Sequence, residues 1–539
     1  MRGRSLVAIL GAAGICVLAV AAAVWISAAR QETAGTSIVV DIPDNPAALA
    51  ASKAQEAEVV AALPGTAEET PQASTAPAAP EKLFIVDTIR VRMQDPALRQ
   101  GAHPDDLAAL ETFYAQHSGP ALWVTGAGLT PEAQSIIGEI GKADEWGLSQ
   151  SSFVVPPADY QPTVAEDQAA AEIAVTLGLL KYARAARGGT AVPKTLNEIF
   201  AQKPTLREPA TVLTEIVVSP TPDAYLRDLH PKHAQFVRLQ QALMKAKSGS
   251  EPTKEEDIKR VEANMERWRW MPEDLGTTYV LLNIPEFMLE VVKDGKVVET
   301  EKVVVGSPSS PTPVLSADMQ SIVFNPERVV PLSIIRKDVL PKLRESGGLF
   351  GGGPSSILER YQLTVKNRGR VIDPDKIDWA TVDLSKLTFV QAPGPTNVLG
   401  KVQFLYPNDR GVYMHDTIIP AQLARSVRAE GQQEPRVANP KKLAGLLLAE
   451  GNGWSEAKVA SAAKGTNAEV KLDRPIPVHM AYFTVVVDEQ GQVKTFDDIY
   501  KLDAQEKPDD AAAASPPVAG SAPVPVRKPV NGSLAATVP

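Results

Sequence analysis

Cysteine is almost absent: 539 residues contain one, Cys16. No disulfide can form within the chain, and beyond residue 16 neither a thiolate zinc site nor a cysteine nucleophile can be assembled. Excess positive charge is also missing, since 55 Lys and Arg face 64 Asp and Glu for a formal net charge of −9. That balance excludes the basic footprint of a nucleic-acid binder. Aromatic side chains amount to 5% and are unevenly spread, with none between Gln31 and Lys82 and none between Ala504 and Pro539. Such segments, rich in Ala, Pro, Glu and Thr, cannot bury enough apolar area to order themselves. They predict a disordered linker over 31–82 and a disordered Pro/Ala-rich tail over 504–539, each a semi-extended tether.

Charge is absent in one further place, the run from Leu6 to Ile26, which follows Arg2 and Arg4. An apolar run of roughly 20 residues suffices to span a bilayer as a helix. Arginines before it keep the first residues cytoplasmic. The expectation for residues 1–30 is an uncleaved, single-pass inner-membrane anchor that sends everything from Arg30 into the periplasm. A cleaved signal peptide competes, because Ser27-Ala28-Ala29 offers small residues at a cleavage position.

What is left is long enough for two or three domains of roughly 150 residues. The block 83–248 reads as helical. Asp105 and Asp106 open one helix where the dipole favours acids, and Thr130-Pro131-Glu132 reads as an N-cap followed by proline at the first helical position. A third helix runs from about Ala165 to Ala186, places Ile173, Leu177 and Leu180 on one face, and stops at Gly188-Gly189. His230 and His233 are spaced to share a helix face, but Pro231 between them argues against a metal pair. After Arg260 the pattern turns β-rich, with runs at 277–284 and 287–292 and an Asp294-Gly295 hairpin turn into 297–305. Further strands are expected at 320–324, 401–404, 411–414 and 478–487, with helices at 331–343 and 440–448. The glycines Gly347, Gly348 and Gly351 to Gly353 mark a mobile loop.

Several motifs in this second block carry a resemblance. Glu266-Arg267-Trp268-Arg269-Trp270-Met271-Pro272, Asn283-Ile284-Pro285, Val304-Val305-Gly306, Thr312-Pro313-Val314, Val323-Phe324-Asn325-Pro326, Tyr413-Met414-His415-Asp416 and Asp497-Asp498-Ile499-Tyr500 occur in order. Together they resemble the periplasmic peptidoglycan L,D-transpeptidases, in their large membrane-anchored subgroup. The likeness covers most of 260–503, and residues 105–247 are similar, more weakly, to the subgroup's helical scaffold region. It implies an α+β fold, with a helical scaffold domain at 83–248 followed by a β-sandwich-like YkuD-type domain at 260–503. It also implies cofactor-free acyl transfer between stem peptides through a cysteine thioester, and peptidoglycan stem peptides or wall-synthesis proteins as partners. The small helical peptidoglycan-binding module usual in the subgroup has no room between Lys247 and Glu266, so glycan affinity falls to the β-domain.

The resemblance also exposes a gap. In the family the nucleophile lies in a Ser-His-Gly-Cys segment followed by an aliphatic residue and Arg. Here Gly431, Gln432, Gln433 and Glu434 occupy those four positions, Pro435 follows, and Arg436 persists. The upstream His415 is kept beside Tyr413 and Asp416. Glu434 would have to form a mixed anhydride, and Pro435 lacks an N–H where the family builds an oxyanion site. Loss of a nucleophile from a coupled site costs on the order of a million-fold in turnover. The expectation is a pseudoenzyme in which Arg436 and Tyr413 contact substrate and Glu434, Gln432 and His415 hold inactive catalytic positions. The rivals are a hydrolase with Glu434 as base, with or without a metal at His415 and Asp416, and a transpeptidase using a displaced nucleophile such as Ser426. For Arg436 a loop-fixing salt bridge competes, for His415 a hydrogen-bonded strand position, and for Trp268 and Trp270 core packing competes with sugar stacking.

Overall fold

A computed structural model describes residues 82–193, 197–249, 253–345 and 352–503. The expected anchor, the tail, all of the linker but Lys82, and Gly347, Gly348 and Gly351 lie outside them. Among the described residues no helix is long and apolar enough to cross a membrane.

The helical block is organised around Ala165–Gly188, and its burial corrects the one-face expectation. Most of the helix is buried on every side, including Ala169, Ile173, Leu179, Leu180 and Ala186. Small residues permit that enclosure: a Cβ at Gly178 would lie 2.3 Å from Val155 Cγ1. Burial there brings in Glu172, which is satisfied by the Tyr114 hydroxyl (2.6 Å) and by the Leu122 (2.6 Å) and Trp123 (2.8 Å) amides. Helices Pro104–Gln116, Pro131–Ile140, Pro209–Val217 and Pro222–Asp228 surround it. Thr130 is the expected cap, its Oγ1 accepting from the Ala133 amide at 3.2 Å. His230 and His233 fall between helices, and His230 is buried against Trp146 with ring centroids 4.2 Å apart.

A helix pair, Ala234–Lys247 and Glu255–Arg269, leads into the second block. The β pattern therefore begins later than Arg260. Nine strands make the main sheet: β1 Thr278–Asn283, β2 Met288–Lys293, β3 Lys296–Gly306, β4 Leu315–Phe324, β5 Val402–Leu405, β6 Met414–His415, β7 Ala429–Gly431, β8 Arg436–Val437 and β9 Ala468–Ala481. Their order is β7-β3-β8-β6-β5-β4-β9-β1-β2, and β2 also pairs with β3. That extra pairing closes the sheet on itself, so the domain is barrel-like where a sandwich was expected. Closure pairs the free side of β2 and leaves β7 as the end strand. Asp294 (φ 50°) and Gly295 (φ 74°) form the predicted hairpin turn between β2 and β3.

Inside lie Val280, Leu282, Val303, Val305, Ile322, Phe324, Phe404 and Met414, with the helix Pro440–Asn452 packing Leu443, Leu447 and Leu448 against them. Between β4 and β5 the chain builds a subdomain that composition did not reveal. Strands Arg328–Val329, Leu363–Asn367, Arg370–Val371 and Leu387–Gln391 form a separate sheet over a core of Ile335, Val339, Leu358 and Phe389.

Candidate functional site

The conserved-looking motifs converge on one end of this sheet. β6 and β8 run parallel with His415 opposite Arg436, and the His415 amide donates to Pro435 O at 3.1 Å. Val412, Met414 and Val437 point into the core. Side chains alternate along a strand, so Tyr413, His415 and Arg436 take the opposite face. Glu434 stands two residues before Arg436 and is half-buried. Its charge acts on Tyr406, Tyr413 and Arg436, pushing both tyrosines up after the larger effect of burial.

Two loops fix the backbone that precedes Glu434. Thr312, fully buried, accepts from the Gly306 amide (2.8 Å) and donates to Gln433 O (2.8 Å). The Tyr500 hydroxyl donates to Gly306 O (2.6 Å) and accepts from the Thr312 amide (3.2 Å). The Ser307 amide reaches Gly431 O at 3.0 Å. A Cβ at Gly306 would sit 2.2 Å from Ser310 O and 2.9 Å from Gln432 O, which is why the β3 end carries glycine. Arg428 anchors the start of β7 through Val303 O (3.1 Å) and Phe287 O (2.9 Å). Thr312 and Tyr500 belong to quoted motifs, but nothing in the sequence alone says that they clamp residues 431–433.

The side chains at the positions matching the family's catalytic segment are dispersed. Gln432 and Gln433 are exposed, and Gln432 Oε1 accepts only from Ser310 Oγ at 3.2 Å. Glu434 makes no side-chain hydrogen bond and no ion pair. His415 is 5% exposed, and its Nδ1 is buried without a hydrogen-bond partner. Burial first, then the Arg436 and Arg328 charges, lower its pKa to about 4. It is a neutral imidazole through the physiological range, out of contact with solvent. Arg436 is half-buried, and Nη1 donates to Gln422 Oε1 at 2.9 Å. No carboxylate within 4.0 Å neutralises it, so the salt bridge that competed for Arg436 is not formed. Arg328 likewise makes no ion pair; sequence reasoning missed it because it sits at the start of the inserted subdomain.

The contacts of Asp416 and Ser426 bear on two of the rival readings. Asp416 is committed to the Lys401 (2.7 Å) and Thr417 (2.7 Å) amides, which draws it away from any shared site with His415. Among the described residues no cluster of three or more His, Cys, Asp or Glu could hold a metal ion. Ser426 is exposed. His479 is structural, bonded to Ser316 Oγ (2.9 Å) and Leu275 O (3.0 Å). Trp268 and Trp270 are buried at the end of the connecting helix, Trp268 stacking on Phe483 at 4.5 Å.

A helical block feeding a closed sheet, with His415 and Arg436 on neighbouring strands and Tyr413 just before β6, defines the class, and comparison with known proteins agrees. Residues 277–432 match the L,D-transpeptidase catalytic domain, and residues 108–243 match the Scaffold domain. A Haemophilus influenzae protein named "Putative L,D-transpeptidase" is 30% identical over 257 residues, 47% of this chain and 50% of that protein. The chain thus spans about half the length of the curated relative it matches. It belongs to the L,D-transpeptidase family. The domain match stops two residues short of Glu434.

Proposed function

We propose that this chain is a peptidoglycan-binding member of the L,D-transpeptidase family that has lost transpeptidation and serves wall synthesis as a pseudoenzyme. The observation that carries the proposal is the position after Gln433. Its backbone is clamped by Thr312, yet it bears a carboxylate followed by Pro435. A carboxylate is a poor nucleophile toward an amide, and His415, buried and neutral, is hydrogen-bonded to no nucleophile. What persists is recognition chemistry: Arg436, half-buried and in no ion pair among the described residues, suits a stem-peptide carboxylate, and Tyr413 packs beside His415 with ring centroids 6.0 Å apart. The apolar run 6–26 would tether the protein to the inner membrane with its domains in the periplasm.

The test uses full-length protein in detergent. Incubation with a carbapenem and with tetrapeptide muropeptides, followed by intact-mass analysis and peptide mapping, is expected to give no adduct within residues 82–503 and no crosslinked product. Isolated sacculi are expected to retain the wild type and to retain Arg436→Ala less. A mapped adduct or a crosslinked dimer would overturn the loss of activity. Released stem fragments would instead support Glu434 as a hydrolytic base.

A further inference from the structure

A cavity of about 470 Å³, whose lining does not include His415 or Arg436, lies where the helical block meets the barrel. Its volume falls within the roughly 300–1,000 Å³ of small-molecule sites. Three separate stretches of chain build it, and each is fixed by hydrogen bonds. On one side, residues 199–203 lie along the start of β4: Phe200 is bridged to Val314, the Ala201 amide donates to Val314 O (2.8 Å), and the Val314 amide donates to Ile199 O (2.8 Å). β4 itself supplies the back from Leu315 to Gln320. The turn 407–410 closes the third side. Asn408 shapes that turn by donating to Tyr406 O (2.7 Å) and Val412 O (2.7 Å), and Arg410 ties it to the first wall through Glu198 O.

The lining has a consistent chemistry. Apolar surface comes from Leu315, Pro272 and Pro407. Around it stand acceptors that no protein donor uses. Gln202 is 8% exposed, and its Oε1 is buried with no hydrogen-bond partner. Leaving such an atom unpaired costs about 1–3 kcal/mol unless a ligand or water meets it. Asp318 and Gln320, exposed on β4, make no side-chain hydrogen bond or ion pair. Charges in the lining balance: Lys203 and Arg410 against Asp318 and Asp409. Lys203 and Asp409 span the mouth at 3.6 Å with side chains 86% and 91% exposed, a contact of little energy that a ligand can displace.

We infer that this cavity is a binding site for a neutral, polyhydroxylated ligand, a saccharide unit. Hydroxyl donors meet Asp318 and Gln320, and the apolar C–H face of the ring lies on the Pro272 and Pro407 surface. A balanced lining selects against strongly anionic or cationic ligands. The site would place sugar binding at the junction of the two blocks, where the sequence pointed to the β-domain alone. It rests on the peptidoglycan reading only for the biological source of the sugar.

The experiment titrates full-length protein in detergent with tetra-N-acetylchitotetraose, and in parallel with glycan strands stripped of their stem peptides. Asp318→Ala and Gln320→Ala, both at exposed positions that leave the core intact, are each expected to weaken binding about fivefold, as loss of one ordinary hydrogen bond does. Gln320→Trp, which fills the cavity, is expected to abolish it. No oligosaccharide binding by the wild type, or equal binding by all three variants, would overturn the inference. So would displacement of a sugar-free stem peptide by the same variants, since the cavity would then take peptide. Sacculus binding that depends on Arg436 while stripped glycan fails to bind leaves the stem reading intact and sinks this one. Sugar binding that depends on Asp318 in a protein indifferent to Arg436→Ala does the reverse.

Discussion

Protonating His415 should cost the fold a measurable share of its stability. The imidazole is 5% exposed, and Arg436 and Arg328 act on it as cations while burial removes water. Its folded pKa is depressed to about 4, against about 6.5 for the unfolded chain. The unfolded state therefore takes up the proton first as pH falls. Stability from the neutral ring is complete above about pH 6.5, drains away between there and pH 4, and changes no further below. A gap of roughly 2.5 pH units corresponds to about 3 kcal/mol, of which about 2.5 kcal/mol is lost by pH 4.5. Other groups titrate in this interval, so the comparison must be with His415→Gln, which cannot take up the proton. Urea unfolding at pH 7.5 and pH 4.5 is expected to show the wild type losing about 2–3 kcal/mol more than the variant. The six histidines of the chain also permit a direct check by carbon-13 histidine labelling. The resonance missing from His415→Gln should titrate near pH 4. Parallel losses in the two proteins, or a titration near 6.5, would refute the argument from burial and arginine repulsion.

Two further substitutions test the packing around the site. Thr312→Val preserves shape but strands the Gly306 amide and Gln433 carbonyl, and is expected to destabilise by about 1–3 kcal/mol and to speed amide exchange at Gly306; a change below about 0.5 kcal/mol would show that the clamp is not needed. Trp268→Ala removes a ring that is 3% exposed and stacked on Phe483, with an expected loss of about 3–5 kcal/mol in urea unfolding. A stable variant with weakened glycan binding would revive the sugar-stacking role for that tryptophan.

Much of the fold was legible because long elements carry strong periodic signals. The β-branched runs behind β1, β2 and β3 and the Asp294-Gly295 turn lie where the pattern puts them. β9 was recognised only in its second half. Pro475 and Pro477 interrupt the sequence signal for a strand, and the structure accommodates Pro475 by a register shift between Lys471 and Ile476. The stretch 411–414 was read as a strand, but Gly411 (φ 64°) belongs to the Asn408 turn, so only Met414–His415 pairs. The inserted sheet stayed hidden because its strands are at most five residues long and separated by Asp- and Ser-rich turns. Helix Ala165–Gly188 misled in another way: its alanines and glycines are buried as spacers, and burial of small residues leaves no amphipathic signature.

The motif residues are legible in the sequence and the backbone mechanics around them are not, and the difference shows how the loop's side chains can vary without losing the fold. The loop before Glu434 is held through backbone atoms: Gly431 O by the Ser307 amide, Gln433 O by Thr312, and Gln432 O against Gly306. None of these contacts uses the side chain at 432, 433 or 434. The clamp residues Gly306, Thr312 and Tyr500 are therefore demanded by the architecture whatever the loop's chemistry is. The three side chains they present are free to change at little structural cost. Arg436 is not free in this sense, because its strand position opposite His415 and its half-buried guanidinium both constrain it. A half-buried cation with no ion pair carries a desolvation penalty that the Gln422 hydrogen bond and the Glu434 charge offset only in part. A ligand anion would offset the remainder, which is the physical reason to look for recognition at Arg436.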